Sequence, residues 1–266
     1  TNATKQCTIV WHVDDLKISH IGPRVAVTTI LNLLDNKYGQ EIVGGERAAL
    51  TVNRGKIHDY LGMTLDYSTA QSVKIDMTEY VDKVLDDAPA SMDGTATTPA
   101  DKNLFEVRDD AKPLNADDGE FLHAMVAKLL FLCKQGRPDL QTAIAFLCNR
   151  VQAPPIDDQH KLGRVVKYLR KTRDLVLTLR ADNLNIIKWW VDAAFAVHKD
   201  MRSHTGGTMS MGAGAVYSSS QKHKMNTKSS TEAELVGAND VLPQIIWTQY
   251  FLEAQGYGTN NVLYQD

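Results

Sequence analysis

Two acidic residues lie side by side near the start of the chain, where paired carboxylates could bind a divalent metal ion. The stretch HVDDLKIS, residues 12–19, places Asp14 and Asp15 between two apolar runs that predict the strands of a β-hairpin. Adjacent carboxylates can hold divalent cations. Aspartate is also a favoured turn residue, so a hairpin tip needs no function to carry two of them. The pair alone leaves a metal site and a plain turn open.

A second set of carboxylates lies in the last third of the chain. Asp192 follows the apolar run KWWV, Glu232 opens a predicted helix after KSST, and Asp266 ends the predicted strand VLYQD. Each has a structural explanation, since acids favour the first turn of a helix and can simply end a strand. Together they could converge on one point, where divalent cations would neutralise their repulsion. Two such metals about 3.5–4 Å apart drive in-line attack on a phosphodiester.

Hydrophobic spacing predicts the elements that must position these acids. The first part of the chain reads as a hairpin, a helix, a second hairpin and a short helix. A connector rich in Pro, Thr, Ala and Asp covers Pro89–Asp118, and three amphipathic helices follow it. From Ile186 onward, three consecutive strands, a helix and a last strand predict a mixed sheet with helices packed on it.

Two groups of cations could contact a phosphate backbone or could simply be solvated. The third amphipathic helix carries cations opposite its apolar stripe, at Lys161, Arg164, Lys167, Arg170 and Lys171. A rail along nucleic-acid phosphates and a solvated helix face both fit this pattern. The second group precedes SSTEAE and consists of Lys222, His223, Lys224 and Lys228. A phosphate contact and a plain solvated turn both fit it as well.

The composition excludes several classes of protein. In 266 residues, 29 Lys and Arg stand against 32 Asp and Glu, for a net charge of −3, so a globally basic nucleic-acid binder is not indicated. Three cysteines match no zinc pattern and no disulfide framework, which fits a reducing compartment. We expect no signal peptide, no transmembrane segment and no membrane partner. Both ends interrupt predicted strands, so we expect a fragment of a longer polypeptide.

Several segments, in one order along the chain, resemble a single family. They are HVDDL, YLGM, GRPDLQTAIAFL, VDAAFA, HTGGTMSMGAGAVYSSSQKH and KSSTEAELVGA. Over nearly the whole chain this string resembles the C-terminal part of the polyprotein of copia-type LTR retrotransposons. HVDDL is similar to the catalytic hairpin of their reverse transcriptase palm. SSTEAE, the most specific stretch, is similar with VDAAFA to their ribonuclease H.

The resemblance implies an α+β fold in three parts. Residues 1–100 would be the C-terminal part of a reverse transcriptase palm and thumb. Residues 101–185 would be a helical connection, in which GRPDL resembles the segment between polymerase and nuclease. Residues 186–266 would be a ribonuclease-H-like mixed α/β domain, truncated at its C-terminus.

The resemblance also implies two catalytic centres, each holding two Mg²⁺ or Mn²⁺ ions. Asp14 and Asp15 would be metal-binding aspartates of the polymerase, and Asp192, Glu232 and Asp266 the first three acids of the nuclease. Glu234 lies two positions after Glu232, and we expect it to point elsewhere.

Nucleic-acid contacts are implied for a further set of residues. His12 stands where relatives commonly have Tyr, and Gly62 falls near the segment that holds the primer end. The local cations Lys222, Lys224 and Lys228 would contact phosphates.

The function implied is RNA-directed DNA polymerisation coupled to ribonuclease H cleavage of RNA in RNA–DNA hybrids. Its partners would be an RNA template, a DNA primer, the hybrid, and the rest of the polyprotein: fingers, upstream palm and integrase. The location would be cytoplasmic, in a virus-like particle, or nuclear. Because the fingers and an earlier palm aspartate are missing, we expect residues 1–266 alone not to polymerise.

Two other functions compete with this one. The first is an inactive retroelement remnant that only binds nucleic acid or protein, against which the retained acids argue. The second is an unrelated metal nuclease or transposase, against which the upstream HVDDL hairpin argues.

Overall fold

The fold was analysed in a computed structural model, which describes residues 6–21, 25–39, 42–43, 46–47 and 50–265. It is a mixed α+β structure, in agreement with the predicted class. The helices are α1 (Val25–Tyr38), α2 (Thr78–Asp86), α3 (Ala116–Gln135), α4 (Gln141–Cys148), α5 (Ile156–Lys171) and α6 (Ser230–Ala254). The strands are β1 (Cys7–His12), β2 (Asp15–His20), β3 (Ile42–Val43), β4 (Glu46–Arg47), β5 (Ile57–Tyr60), β6 (Met63–Asp66), β7 (Ser72–Asp76), β8 (Leu177–Ala181), β9 (Ile186–Ala194), β10 (His204–Ser210), β11 (Gly212–Ala213), β12 (Tyr217–Lys222) and β13 (Asn260–Tyr264).

A helical core built by α2 to α5 holds the middle of the chain together. The predicted stripes are its interior: Leu122 and Leu129 of α3, Ile144 of α4, and Leu162 and Val166 of α5 are all 0% exposed. The connector Pro89–Asp118 has a 3-10 turn at Ala90–Met92 and otherwise irregular backbone until α3 begins, which confirms the predicted connector. The Asn115 side chain caps α3 by accepting a hydrogen bond from the Asp118 N–H at 2.8 Å.

One sheet, which we call the middle sheet, has the strand order β11-β8-β7-β6-β5. The predicted second hairpin supplies β6 and β7, which are antiparallel. Strand β8 was not predicted, and it pairs with β7 from about a hundred residues later in the chain. The middle sheet thus takes strands from each of the three segments 1–100, 101–185 and 186–266. That division stays a prediction.

A second sheet, which we call the C-terminal sheet, has the order β12-β10-β9-β13 and carries α6 on one face. The three predicted consecutive strands are antiparallel, and β13 returns parallel to β9 after α6. Alternation along β9 explains the layering: Trp189 and Val191 pack with Val241 of α6, whereas Trp190 and Asp192 are exposed. A Cβ on Gly207 of β10 would lie 3.0 Å from the Val241 side chain, so the close approach of α6 requires glycine.

Candidate functional site

Asp192 lies near the end of β9, on the face of the C-terminal sheet opposite α6. It pairs across the sheet with Gly206 of β10 and is exposed. Strand β13 runs parallel beside β9 with Tyr264 opposite Trp190, so β13 leads toward the part of β9 that carries Asp192. An exposed carboxylate near the end of a strand can bind a cation or accept a hydrogen bond.

Glu234, in the second turn of α6, reaches β9 beside Asp192. Its Oε1 accepts a hydrogen bond from the main-chain N–H of Ala193 at 3.0 Å. Its Oε2 lies 3.1 Å from the side-chain Nε2 of Gln265, just after β13. The expectation that Glu234 points elsewhere was wrong, because its carboxylate is held within one peptide group of Asp192.

Glu232 takes part in the hydrogen bonds that begin α6. The Ser229 side chain caps the helix by accepting from the Glu232 N–H at 3.1 Å, and Glu232 Oε2 accepts from the Lys228 N–H at 2.6 Å. Two residues along a helix turn the side chain by about 200°, so Glu232 and Glu234 leave α6 in nearly opposite directions. The sequence signal for this was present: Ser229 followed three positions later by Glu232 is the pattern of a capping box.

The third predicted acid of this set, Asp266, lies outside the described residues. Within the described part of the chain, no cluster of three His, Cys, Asp or Glu side chains could hold a metal ion. Of the acids in this part of the chain, the structure places Glu234 against the peptide group that follows Asp192. Carboxylate oxygens are the ligands that Mg²⁺ and Mn²⁺ prefer, so the donor chemistry of this pair fits the implied metal.

The other predicted acids lie on the hairpin formed by β1 and β2. The two-residue turn is Val13–Asp14, with His12 paired to Asp15, so Asp15 begins β2 and does not share the tip. Val13 has a φ of 52°, as the first position of a primed hairpin turn requires, and the Trp11 indole N–H donates to its carbonyl at 2.7 Å. Both aspartates and His12 are exposed.

The structure does not bring the two sets of acids into one site. The base of the hairpin contacts the far end of α6, where Gln255 Oε1 accepts from the Thr8 hydroxyl at 2.6 Å. Glu234 lies near the opposite end of that helix, roughly 30 Å away along its axis. Asp14 and Asp15 thus belong to one surface and Glu234 to another.

Gly62 lies in the turn between β5 and β6. Tyr60 pairs with Met63, and the two turn residues Leu61 and Gly62 have φ of 51° and 75°. Positive φ at both positions defines a tight hairpin turn that glycine favours. This gives Gly62 a conformational role, and its predicted contact with nucleic acid stays a prediction.

The local cations before α6 differ in whether an acidic side chain already pairs with them. Lys222 is half-buried and pairs with Asp200 at 2.7 Å, whereas Lys224 and Lys228 are exposed. His223 is 1% exposed, and its Nε2 shares a 2.5 Å hydrogen bond with the Thr205 hydroxyl. Burial lowers the pKa of His223 despite the nearby charges of Asp240 and Glu234. Only the two exposed lysines keep the geometry for a phosphate contact.

The cations of α5 hold the connector instead of facing solvent. Lys161 donates to the Glu106 carbonyl at 2.6 Å, Arg164 to the Thr98 hydroxyl at 2.9 Å, and Arg170 to the Met92 carbonyl at 2.8 Å. Lys171, the last residue of α5, is exposed. The sequence left two alternatives open for these cations, a rail along nucleic-acid phosphates and a solvated helix face. Neither describes these three side chains, because the connector covers that face of the helix.

A buried pair of histidines joins the C-terminal sheet to the helical core. His198 Nε2 and His204 Nδ1 are 3.0 Å apart, and His204 Nε2 lies 2.6 Å from the Ser220 hydroxyl. The ring of Phe105 packs against both, at 5.0 and 5.1 Å between centroids. Burial lowers the pKa of each histidine to about 4. Sequence analysis missed this cluster.

Comparison with curated proteins places the chain among transposon sequences. It is 24% identical to a putative transposon Ty5-1 protein of Saccharomyces cerevisiae over 241 residues, 89% of this chain and 73% of that protein. It is 28% identical over 145 residues to the retrovirus-related Pol polyprotein from transposon TNT 1-94 of Nicotiana tabacum, over 54% of this chain and 10% of the polyprotein. An uncharacterised mitochondrial protein of Arabidopsis thaliana is 23% identical over 73% of this chain and 79% of that protein.

These relatives indicate a copia-type retrotransposon polyprotein. The family resemblance predicted from the sequence motifs is thereby confirmed. No protein-family profile and no solved structure matches the chain. Within the part of the chain that the structure describes, no helix is both long enough and apolar enough to cross a membrane.

Proposed function

We propose that this retrotransposon segment contains a ribonuclease H centre built on Asp192 and Glu234, with Asp266 as a further acid. The observation that carries the proposal is the hydrogen bond from the Ala193 N–H to Glu234, which fixes a helix carboxylate against the peptide group that follows Asp192. The strand order of the C-terminal sheet supports it: three antiparallel strands, a helix and a parallel return strand resemble the core of that nuclease class.

The centre would take two Mg²⁺ or Mn²⁺ ions held by these carboxylates. Such ions supply Lewis-acid activation of a water and neutralise charge on the scissile phosphate. The chain's own contribution is to fix two acceptor groups at one edge of a sheet. The substrate would be RNA in an RNA–DNA hybrid, since the 2′-hydroxyl distinguishes the RNA strand from DNA.

The matched acids Glu234 and Glu232 provide the decisive experiment. With a labelled RNA annealed to DNA, we expect Mg²⁺-dependent cleavage that EDTA abolishes and that duplex DNA does not support. Asp192→Asn and Glu234→Gln should each reduce the rate by more than the roughly 10- to 100-fold typical of losing an outer-shell partner. Glu232→Gln should keep most of the activity, because that side chain serves the start of the helix.

Two results would count against the proposal. If the wild-type chain, with the downstream polyprotein restored, cleaves no hybrid, this part of the molecule is an inactive remnant. If Glu232→Gln abolishes cleavage and Glu234→Gln does not, the nuclease assignment moves back to Glu232.

We also propose that Asp14 and Asp15 belong to the polymerase centre of the whole polyprotein. Their exposure on a tight hairpin supports this, because an approaching primer end and metal ions could reach them. The RNA template, the DNA primer and the remaining polyprotein would be the partners. Primer extension should need the upstream region, and synthesis by residues 1–266 alone would refute this division of labour.

A further inference from the structure

Gln265 makes a double contact with Glu234. Its side-chain Nε2 lies 2.5 Å from the Glu234 carbonyl oxygen and 3.1 Å from Glu234 Oε2. A carboxamide nitrogen carries two hydrogens, so it can donate to both acceptors at once. The other carboxylate oxygen of Glu234 accepts from the Ala193 N–H at 3.0 Å. One oxygen of this carboxylate is therefore held by β9 and the other by the residue that follows β13.

We infer that Gln265 is a positioning residue, which holds the Glu234 carboxylate in the orientation that the metal site needs. The inference deepens the proposed function and rests on it for its catalytic meaning. Residue 265 has no acid, base or nucleophile to offer, and no other role in the chemistry is required of it.

The physical need for such a residue follows from the glutamate side chain. Fixing a free glutamate side chain in one rotamer costs conformational entropy. Hydrogen bonds to a carboxylate are stronger than those between neutral groups, so two donors can hold one rotamer. Outer-shell partners that orient metal ligands typically change metal affinity by roughly 10- to 100-fold. Gln265 would do this before any cation binds.

The Ala193 N–H is available to Glu234 because of where β13 ends. The pairing of β13 with β9 runs from Asn260 opposite Ile186 to Tyr264 opposite Trp190. Among residues 50–265, the main chain of β9 has no strand partner on this side beyond that point. Gln265 follows directly, and it turns its amide to α6. Because the pairing of β13 with β9 ends there, the Ala193 N–H donates to the Glu234 carboxylate.

The chain offers a matched control at the other end of β13. Gln249 of α6 accepts from the Asn261 side-chain amide at 3.0 Å, and Asn261 accepts from the Trp189 indole N–H at 2.9 Å. Both glutamines therefore fasten β13 to α6. Only Gln265 contacts Glu234.

The experiment compares Gln265→Met with Gln249→Met in the full chain. Methionine keeps the length of glutamine and has no donor. By NMR-detected hydrogen exchange, we expect the Ala193 amide to exchange at least about tenfold faster in Gln265→Met, as loss of one hydrogen bond to a charged group implies. By calorimetric titration with MnCl₂, its Mn²⁺ affinity should fall by roughly 10- to 100-fold. Gln249→Met should change neither.

Each outcome has one meaning. Unchanged Ala193 exchange and Mn²⁺ affinity in Gln265→Met would overturn the inference. Equal effects in the two variants would also overturn it, since Gln265 would then only fasten the strand. If the variants behave as expected while the wild type cleaves no hybrid, the positioning role stands and the proposed nuclease function fails.

Discussion

Arg137, in the GRPDL segment, is a deeply buried charged side chain of the helical core. It is 1% exposed, and its guanidinium holds Asp139 through Nε at 3.0 Å and Nη2 at 2.8 Å. It also donates to the carbonyl and the hydroxyl of Thr172, at 3.0 and 2.6 Å. The side chain thereby ties the turn before α4 to the end of α5. The family resemblance includes the GRPDL segment. In the structure, Arg137 of this segment links the turn before α4 to Thr172 at the end of α5.

Replacing Arg137 should be strongly destabilising. Arg137→Leu leaves the Asp139 carboxylate and the Thr172 carbonyl without their donors, and we expect a loss of about 3 kcal/mol in the free energy of unfolding. That is the low end for a buried pair, because Asp139 remains 27% exposed. Urea denaturation followed by circular dichroism measures the change.

Arg173→Leu is the control for this prediction. Arg173 binds Asp82 at 2.5 Å, but the two side chains are 44% and 38% exposed. Solvent screens such a pair, so its loss should be far less destabilising than the loss of Arg137. Equal destabilisation by the two variants would show that burial is not what gives Arg137 its importance.

At this scale the sequence predicted the position of Asp192 better than the choice between two neighbouring glutamates. Asp192 lies at the strand end where the KWWV run placed it. Glu232 and Glu234 leave the helix in nearly opposite directions, and the choice between them depends on which side of the helix faces the sheet. The spacing of the two residues does not give the rotation of the helix about its axis. The capping pattern Ser229-x-x-Glu232 would have removed one of the two acids.

At the scale of elements, the main surprise is how α5 and the connector combine. Three half-buried cations of one helix reach across to carbonyls and a hydroxyl of a segment that has little regular structure. The connector also receives a main-chain bond, from the Ala96 N–H to the Lys167 carbonyl at 3.2 Å. Its order therefore depends on α5.

Removing one of these cations should release the connector locally. Arg170 donates to the carbonyls of Met92 and Gly94 at 2.8 and 3.2 Å, and it pairs with Asp93 at 3.2 Å. In Arg170→Ala we expect proteinase K to cut near this turn at least about tenfold faster, since hydrogen bonds to charged groups contribute about 1.5–3 kcal/mol each.

Lys171→Ala is the matched control for that cleavage rate. Its side chain is the next cation along α5 and is exposed. We expect its cleavage rate to match the wild type. Faster cleavage of both variants, or of neither, would contradict the view that Arg170 holds the connector.

Helix and strand assignments from the sequence were sound where periodicity was long. The three amphipathic helices, the second hairpin and the order of the C-terminal sheet are as predicted. Strands β8 and β11 were missed because each is only a few residues long, and because β8 is identified by a partner far away in the chain. The cationic face of α5 was misread because spacing cannot tell which loop covers a helix.

At the scale of the whole molecule, the histidine pair connects units that are distant in sequence. His204 belongs to β10 of the C-terminal sheet and His198 to the loop between β9 and β10, whereas Phe105 belongs to the connector and Phe146 to α4. The rings of Phe105 and Phe146 meet edge to face at 5.6 Å, and His198 lies stacked on Phe146 at 6.3 Å. The charged or titratable groups acting on the pair are Lys222, Asp200 and His223.

This connection should make the fold sensitive to acid. Burial lowers the pKa of both histidines from 6.5 to about 4, so between these values the unfolded chain binds more protons than the folded one. Stability is therefore fully present above pH 6.5 and falls as the pH drops toward 4, by up to about 1.4 kcal/mol per pH unit for each histidine. Urea titrations across this range measure the slope.

His198→Gln should flatten that dependence, because an uncharged side chain replaces a group that must protonate. The exposed His123→Gln should leave the slope unchanged. An equal slope in the wild type and His198→Gln would contradict the prediction and assign the acid sensitivity to other groups.

The pairing of β7 with β8 has a consequence for synthesis of the chain on the ribosome. One edge of β7 has no partner until β8 is made, after the connector and the four helices α2 to α5 have been translated. At ordinary rates of about 5–20 residues per second, that delay is roughly 5–20 s. During this interval the nascent polypeptide presents an open strand, the kind of surface that associates with other chains. Production of this protein should therefore benefit from chaperones that shield nascent strands.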